Sequence, residues 1–240
     1  MTLNLAHRGA RRVAPENTLP AFKRAMEMGA DGTELDVQIS ADGHLFVFHD
    51  IMLDKMTDGR GEAASLPLAA LKELDAGAHF DDAWRGTPIP TLDEVFDTLP
   101  DEAFVNIELK RDTFSGDGAT ANRLEEATVE FIRRRNLASR VIVSSFNPII
   151  LWRLRKEAFP LGLLYAPDMP NWLTYGQSRC FLRLDALHPY YPQVRAPLPS
   201  LPINTWTVNE PAQMRRLLDL NINAIITDLP DLLADVMRKT

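Results

Sequence analysis

One feature constrains the fold more than any other: an alternation that runs almost from end to end. Short apolar or β-branched runs at Asn4–His7, Gly32–Gln38, Leu45–His49, Val105–Lys110, Val141–Ser145, Leu161–Ala166, Ala186–Pro189, Ile203–Val208 and Ala224–Asp228 alternate with segments of helical period. Leu19, Phe22, Ala25, Met26 and Gly29 recur at helical spacing, with Asn17 as the expected N-cap. Thr91 and Glu94 predict a capping box. Asn209 with Pro211 opens another helix, carrying Met214, Leu217 and Leu218 on its inner side. Strands that alternate with helices form a parallel sheet with the helices outside it.

A chain of 240 residues suits one α/β barrel of the (β/α)8, TIM type, covering 1–240 as a single domain. Nine strand candidates exceed eight, and the joint between Val37 and His44 is too short for a crossover helix. Leu45–His49 is therefore read as the return arm of a hairpin, and the barrel as distorted near strands 2–3. Residues 51–90 break the alternation, with Gly59, Gly61, Gly77 and Gly86 and one helical piece around Leu68–Leu74. They predict a small cap-like insertion after the third strand, beside the barrel mouth.

The net charge of −7 carries no sustained basic stripe, which argues against nucleic acid as a partner. The one basic run, Arg133, Arg134 and Arg135, falls where a helix should end and complements its dipole. No apolar run reaches the ~18 residues of a membrane span, and the first residues lack an apolar leader. A soluble, cytoplasmic protein without stable membrane insertion is the expectation. Cys180, the single cysteine, excludes an internal disulfide and is expected to pack in the core.

The chemistry concentrates in ELDVQISADGHLFVFHD, residues 34–50. Glu34 and Asp36, two apart on a strand, share a face. With Asp42-Gly43 as a two-residue turn, Asp36 falls opposite His49 and Glu34 opposite Ile51. Paired carboxylates repel unless a cation lies between them, and hard oxygen ligands suit Mg²⁺ or Ca²⁺. In barrels, reactive groups sit at the carboxyl ends of strands. His7 closes the first strand, followed by Arg8, although a buried structural histidine would look the same. Glu108 and Lys110 close VNIELK on one face, as a third carboxylate and a cation for an anionic oxygen, or as a plain ion pair. Trp206, in NTWTVNE, could wall a bound alcohol group. His188 is ranked behind the site, His44 as solvated, and His79 as lining the insertion. Three carboxylates, two histidines, an arginine and a lysine at one barrel end suit cleavage of a phosphoester.

At this point the sequence resembles the glycerophosphodiester phosphodiesterases of the small bacterial cytoplasmic type. HRGARRVAPENTLPAF at 7–22, GADGTELDVQISADGHLFVFHD at 29–50, NIELK at 106–110, SSFN at 144–147, TWTVN at 205–209 and ITDLP at 226–230 match that family's motifs in order. The resemblance implies that Glu34, Asp36 and Glu108 bind one divalent cation and that His7 and His49 are the acid–base pair. It implies that Arg8 and Lys110 contact the phosphate, that Trp206 lines the glycerol pocket, and that Glu16 and Asn17 brace the loop carrying His7. The activity so implied is hydrolysis of small glycerophosphodiesters, such as glycerophosphocholine or glycerophosphoethanolamine, to sn-glycerol 3-phosphate and an alcohol. His7 is assigned the base and His49 the acid. A related barrel phospholipase or lyase that stops at the cyclic phosphate, and a non-catalytic phosphodiester-binding protein, are the alternatives.

Overall fold

The apolar runs become strands, which the computed structural model describes within residues 2–110, 123–167, 169 and 182–239. In chain order these are β1 (Leu3–His7), β2 (Gly32–Ile39), β3 (Leu45–Val47), β4 (Phe104–Leu109), β5 (Val141–Ser145), β6 (Leu161–Tyr165), β7 (Ala186–Pro189), β8 (Asn204–Thr205) and β9 (Ala224–Thr227). All but β3 pair in parallel, in the order β7-β6-β5-β4-β2-β1-β9-β8. Parallel bridges Leu187–Ile203 and Tyr190–Trp206 bring the two ends of that order together. The result is a nearly closed eight-stranded parallel barrel, the architecture that the alternation predicts.

Helices lie between the strands: α1 (Leu19–Glu27), α2 (Leu68–Lys72), α3 (Leu92–Thr98), α4 (Arg123–Arg134), α5 (Pro148–Leu154), α6 (Pro211–Asp219) and α7 (Pro230–Arg238). Four of them, α1, α5, α6 and α7, carry proline in their first two positions, where no intrahelical N–H is needed. The Thr91 capping box is formed in full: its hydroxyl accepts from Glu94 N–H, and Glu94 accepts from Thr91 N–H. Two expected caps are not caps. Thr18 and Glu210 occupy those positions, and Asn17 and Asn209 turn their amides into the barrel mouth. The basic run at the end of α4 reaches carboxylates of neighbouring segments, Arg134 and Arg135 meeting Asp93 on α3, and Arg133 meeting Glu157.

Strand alternation divides the core. Leu35, Val37, Val105, Ile107 and Leu109 face the helices in the main apolar cluster. Their neighbours Glu34, Asp36, Asn106 and Glu108 face inward and are buried. The barrel floor is apolar, with Leu5, Ala224 and Ile226. Everything charged inside the barrel therefore collects towards the carboxyl ends of the strands.

Among the described strands β3 pairs with β2 alone, antiparallel, with Val37 opposite Val47 and Ile39 opposite Leu45. This register is one residue away from the expected one. Ser40 pairs with His44 through its N–H at 2.9 Å, leaving the loop Ala41-Asp42-Gly43 with Gly43 at φ +91°. The Ser40 hydroxyl fixes this longer loop, donating to Asp42 at 2.6 Å and accepting from His44 N–H at 2.9 Å. Asp36 accordingly lies opposite Phe48, whose N–H donates to Asp36 C=O at 2.9 Å, and not opposite His49. A slip of one residue reverses the faces of a continuing strand. Here β3 ends at Val47, and Gln38 Nε2 holds the departing chain by donating to the carbonyls of Phe48 and Asp50. Residues 51–90 then form short turns and α2, with Phe46, Phe48, Leu53, Ala63, Leu71, Ala76 and Ile89 in a separate apolar cluster.

Candidate active site

The first reactive side chain is placed by the turn after β1. Arg8 and Gly9 both adopt positive φ, 56° and 78°. A side chain at Gly9 could not fit, because a Cβ there would stand 2.6 Å from the backbone carbon of Ala21. Arg8 N–H donates to the Glu34 carbonyl at 3.0 Å, locking the turn over the end of β2. Its guanidinium then lies across the mouth, with Nη1 2.7 Å from Glu16 and Nε 3.1 Å from Asp36. Arg11 grips the other oxygen of Glu16 at 2.6 Å. Glu16 thus braces both arginines.

Three inward carboxylates from two adjacent strands meet beneath Arg8. Glu34, Asp36 and Glu108 each offer an oxygen, all within 4.8 Å of one another. Burial, then Asp36 and then Glu108, push the Glu34 carboxyl well above its usual range. Burial raises Glu108 to about 7, against the pull of Lys110. Burial also works against an ionised Asp36, yet Arg8, Lys110, His49 and the Asn17 amide together hold it below the usual range. Asn17 Nδ2 donates to Asp36 Oδ2 at 2.8 Å, while the buried Asp36 Oδ1 has no hydrogen-bond partner among the described residues. Three crowded, buried carboxylates that repel one another, with one oxygen left unsatisfied among the described residues, are a donor set that fits a hard divalent cation. Lys110 Nζ stands 3.1 Å from Glu108 and 3.8 Å from Asp36, and stays charged because those carboxylates outweigh its burial.

The two histidines are held alike. His7 Nδ1 lies 2.7 Å from Asp228 Oδ1, and His49 Nδ1 lies 2.6 Å from Asp50 Oδ1. A carboxylate on Nδ1 favours the Nδ1–H tautomer and leaves the Nε2 lone pair free. His7 Nε2 stands 4.0 Å from Glu34. Burial lowers both imidazole pKa values, more than the Asp228 contact raises that of His7 and more than Asp36 raises that of His49.

A cavity of about 240 Å³ opens over this array, lined by His7, Arg8, Glu34, His49, Glu108 and Lys110, with Phe146 and Trp206 as an aromatic wall. The Trp206 ring packs edge-on to Phe146 at 5.5 Å and donates from Nε1 to the His188 carbonyl at 2.8 Å. The singled-out residues converge here, with Asp36 just below. His44 and His79 are absent from the lining. His188 is fully buried, its Nε2 2.9 Å from Asn204 Nδ2. Cys180 lies outside the described residues. Sequence reasoning missed Asp228, Asn209, Asp50, Asn106 and Phe146. Asp228 was the most accessible of these, as a carboxylate at the carboxyl end of the last strand. Asp50 and Phe146 depend on loop geometry that no period encodes.

Comparison with known proteins points the same way. The model of the glycerophosphoryl diester phosphodiesterase family matches residues 7–232. A glycerophosphodiester phosphodiesterase of Caldanaerobacter subterraneus subsp. tengcongensis is 40% identical, over 99% of this chain and 98% of its own. The crystal structure of glycerophosphodiester phosphodiesterase from Agrobacterium tumefaciens superposes with a TM-score of 0.81 at 29% identity, covering 98% of this chain and 100% of that one. A phosphodiesterase of Oleispira antarctica, solved with its product sn-glycerol-3-phosphate, gives 0.84 at 27% identity, covering 98% and 97%.

Proposed function

The chain belongs to the glycerophosphoryl diester phosphodiesterase family and is an enzyme of that class, and from that premise we propose that it hydrolyses small glycerophosphodiesters, glycerophosphocholine and glycerophosphoethanolamine among them, to sn-glycerol 3-phosphate and the free alcohol by two-histidine catalysis that depends on a cation. One observation carries the reading: two carboxylate-backed histidines line one small cavity together with Glu34 and Glu108, which cluster with the buried Asp36 just below. The product held by the Oleispira antarctica phosphodiesterase supports the choice of substrate.

Glu34, Asp36 and Glu108 would hold the cation, Mg²⁺ or Ca²⁺. When bound, it supplies Lewis-acid stabilisation of charge on the phosphoryl oxygens. Arg8 and Lys110 add positive charge at the same wall and orient the phosphate. His7 Nε2 takes the proton of the attacking hydroxyl, water or the neighbouring hydroxyl of the glycerol. His49, entering this step as the imidazolium with Nδ1–H on Asp50, gives its Nε2 proton to the leaving alkoxide, which is too strong a base to depart alone. Positioned proton transfer of this kind contributes roughly 10²–10⁴-fold. Trp206 and Phe146 wall the glycerol carbons, and residues 51–90, as a cap-like insertion in a single barrel domain, flank the side where the alcohol leaves.

Product analysis tests this reading. Enzyme-coupled detection of sn-glycerol 3-phosphate across several diesters, with phosphorus NMR of the mixture, should find the monoester as end product. Accumulation of a cyclic phosphate would overturn the hydrolytic reading, and binding of the diesters without turnover would overturn the catalytic one.

A further inference from the structure

The two motif segments TWTVN and ITDLP meet at the Asn209 side chain. Asn209 Nδ2 donates to Asp228 Oδ2 at 2.8 Å. The other end of the Asn209 amide admits no choice. Its Oδ1 accepts from Asp228 N–H at 2.9 Å and from the Thr227 hydroxyl at 3.2 Å, and a backbone N–H can only donate. Asn209 is therefore locked with its NH₂ towards Asp228, so that Asp228 Oδ2 must accept. The remaining oxygen, Oδ1, faces His7 Nδ1 at 2.7 Å and accepts as well. Arg11 Nη1 also approaches that nitrogen, at 3.4 Å, and is the longer and weaker contact.

We propose that Asn209 and Asp228 are positioning residues that fix the polarity of a hydrogen-bond chain from the backbone to His7, and so dictate the Nδ1–H tautomer that leaves the Nε2 lone pair facing the substrate. This rests on the reading of His7 as the base. The chain runs from Asp228 N–H to Asn209 Oδ1, from Asn209 Nδ2 to Asp228 Oδ2, and from Asp228 Oδ1 to the proton on His7 Nδ1. Each link has one allowed direction, because the first donor is the main chain. A carboxylate is thus needed at 228 for its two accepting ends, and not only for its charge.

Fixed polarity predicts a failure and its reversal. In Asp228→Asn, the amide oxygen must face Asn209 Nδ2, which turns the new NH₂ towards His7. Nδ1 then has to accept, the proton moves to Nε2, and the ring can no longer act as a base. In the double variant N209D/D228N the polarity reverses. The carboxylate, now at position 209, still accepts from the backbone N–H of residue 228. It also accepts from the new amide at position 228, whose oxygen again faces His7. The Nδ1–H tautomer returns although the carboxylate has moved one link away.

Nitrogen-15 NMR of the His7 ring, identified by loss of its signals in His7→Gln, reads the tautomer without turnover. The expected result is Nδ1–H in the native chain, Nε2–H in D228N and Nδ1–H in N209D/D228N. Hydrolysis of glycerophosphocholine should fall by at least about 10²-fold in kcat in D228N with KM little changed, and recover partly in the double variant. Recovery also shows that the fold survives. An Nδ1–H ring in D228N, or no return of it in the double variant, would overturn the polarity chain. A tautomer that moves as described while D228N keeps full turnover upholds the chain and removes His7 from the role of base.

Discussion

At the scale of single residues, the proposed mechanism divides labour between two histidines that look almost interchangeable. Each has a carboxylate on Nδ1 and each is lowered in pKa by burial. They differ in surroundings, His7 standing beside Glu34 and His49 at the head of the turns and short helices of residues 51–90. An acid matters only when the leaving group is a strong base, and nitrophenolate is a far weaker base than an alkoxide. His49→Ala should therefore lose about 10²-fold or more on glycerophosphocholine and recover most of that loss on a nitrophenyl ester of glycerol phosphate. His7→Ala should stay impaired on both, and the opposite pattern in steady-state rates would exchange the roles. Asp36 is a separate case. With Arg8, Lys110 and Asn17 all directed at it, Asp36→Asn should cost cation affinity by calorimetry as well as turnover. Unchanged affinity would remove it from the ligand set.

Among the elements, strand positions are the most legible part of the sequence. Val141–Ser145 and Ala186–Pro189 have the bounds that the apolar runs predict, and most other strands agree within a residue or two. The barrel follows from alternation alone, since parallel strands need crossovers. Local hydrogen bonding by side chains is what a period does not encode. Asn17 and Asn209 carry the residue type of a cap, but their amides have stronger partners in Asp36 and Asp228. The Ser40 hydroxyl lengthens the hairpin loop by one residue, which shifts the register, so the turn does not place His49 opposite Asp36. The histidine reaches the cavity only because β3 stops short. The capping box on α3, by contrast, is purely local and readable. Thr91→Ala should cost about 1 kcal/mol, seen as a drop of roughly 2–4 °C in Tm, with kcat unchanged. No measurable change in the unfolding midpoint would mean that the box is idle.

For the molecule as a whole, the barrel keeps one histidine where water cannot reach it. His188 is fully buried behind Trp206, with its Nδ1 unpartnered among the described residues, and burial pushes its pKa down to about 3 from an ordinary 6.5. Above about 6.5 neither the folded nor the unfolded chain protonates this ring, so its contribution to stability is complete. Between about 6.5 and 3 the unfolded chain takes up a proton that the folded chain refuses, and stability falls by up to about 1.4 kcal/mol per pH unit. Urea unfolding of the native chain and of His188→Gln at pH 7 and pH 5 should differ in their pH response by about 2 kcal/mol, the native chain losing more. Equal responses would mean that His188 is protonated in the folded state. Among the described residues no helix is long and apolar enough to cross a membrane. The organisation that matters for function is the inward gathering of acids at one end of the barrel, with Glu34, Asp36 and Glu108 too close together to ionise fully by themselves. That arrangement is tested most directly by following sn-glycerol 3-phosphate release from glycerophosphocholine before exhaustive chelation, after it, and after adding back Mg²⁺ or Ca²⁺. Full activity, no activity and restored activity are predicted in turn; undiminished turnover by protein verified free of metal would contradict a cation held by the three carboxylates.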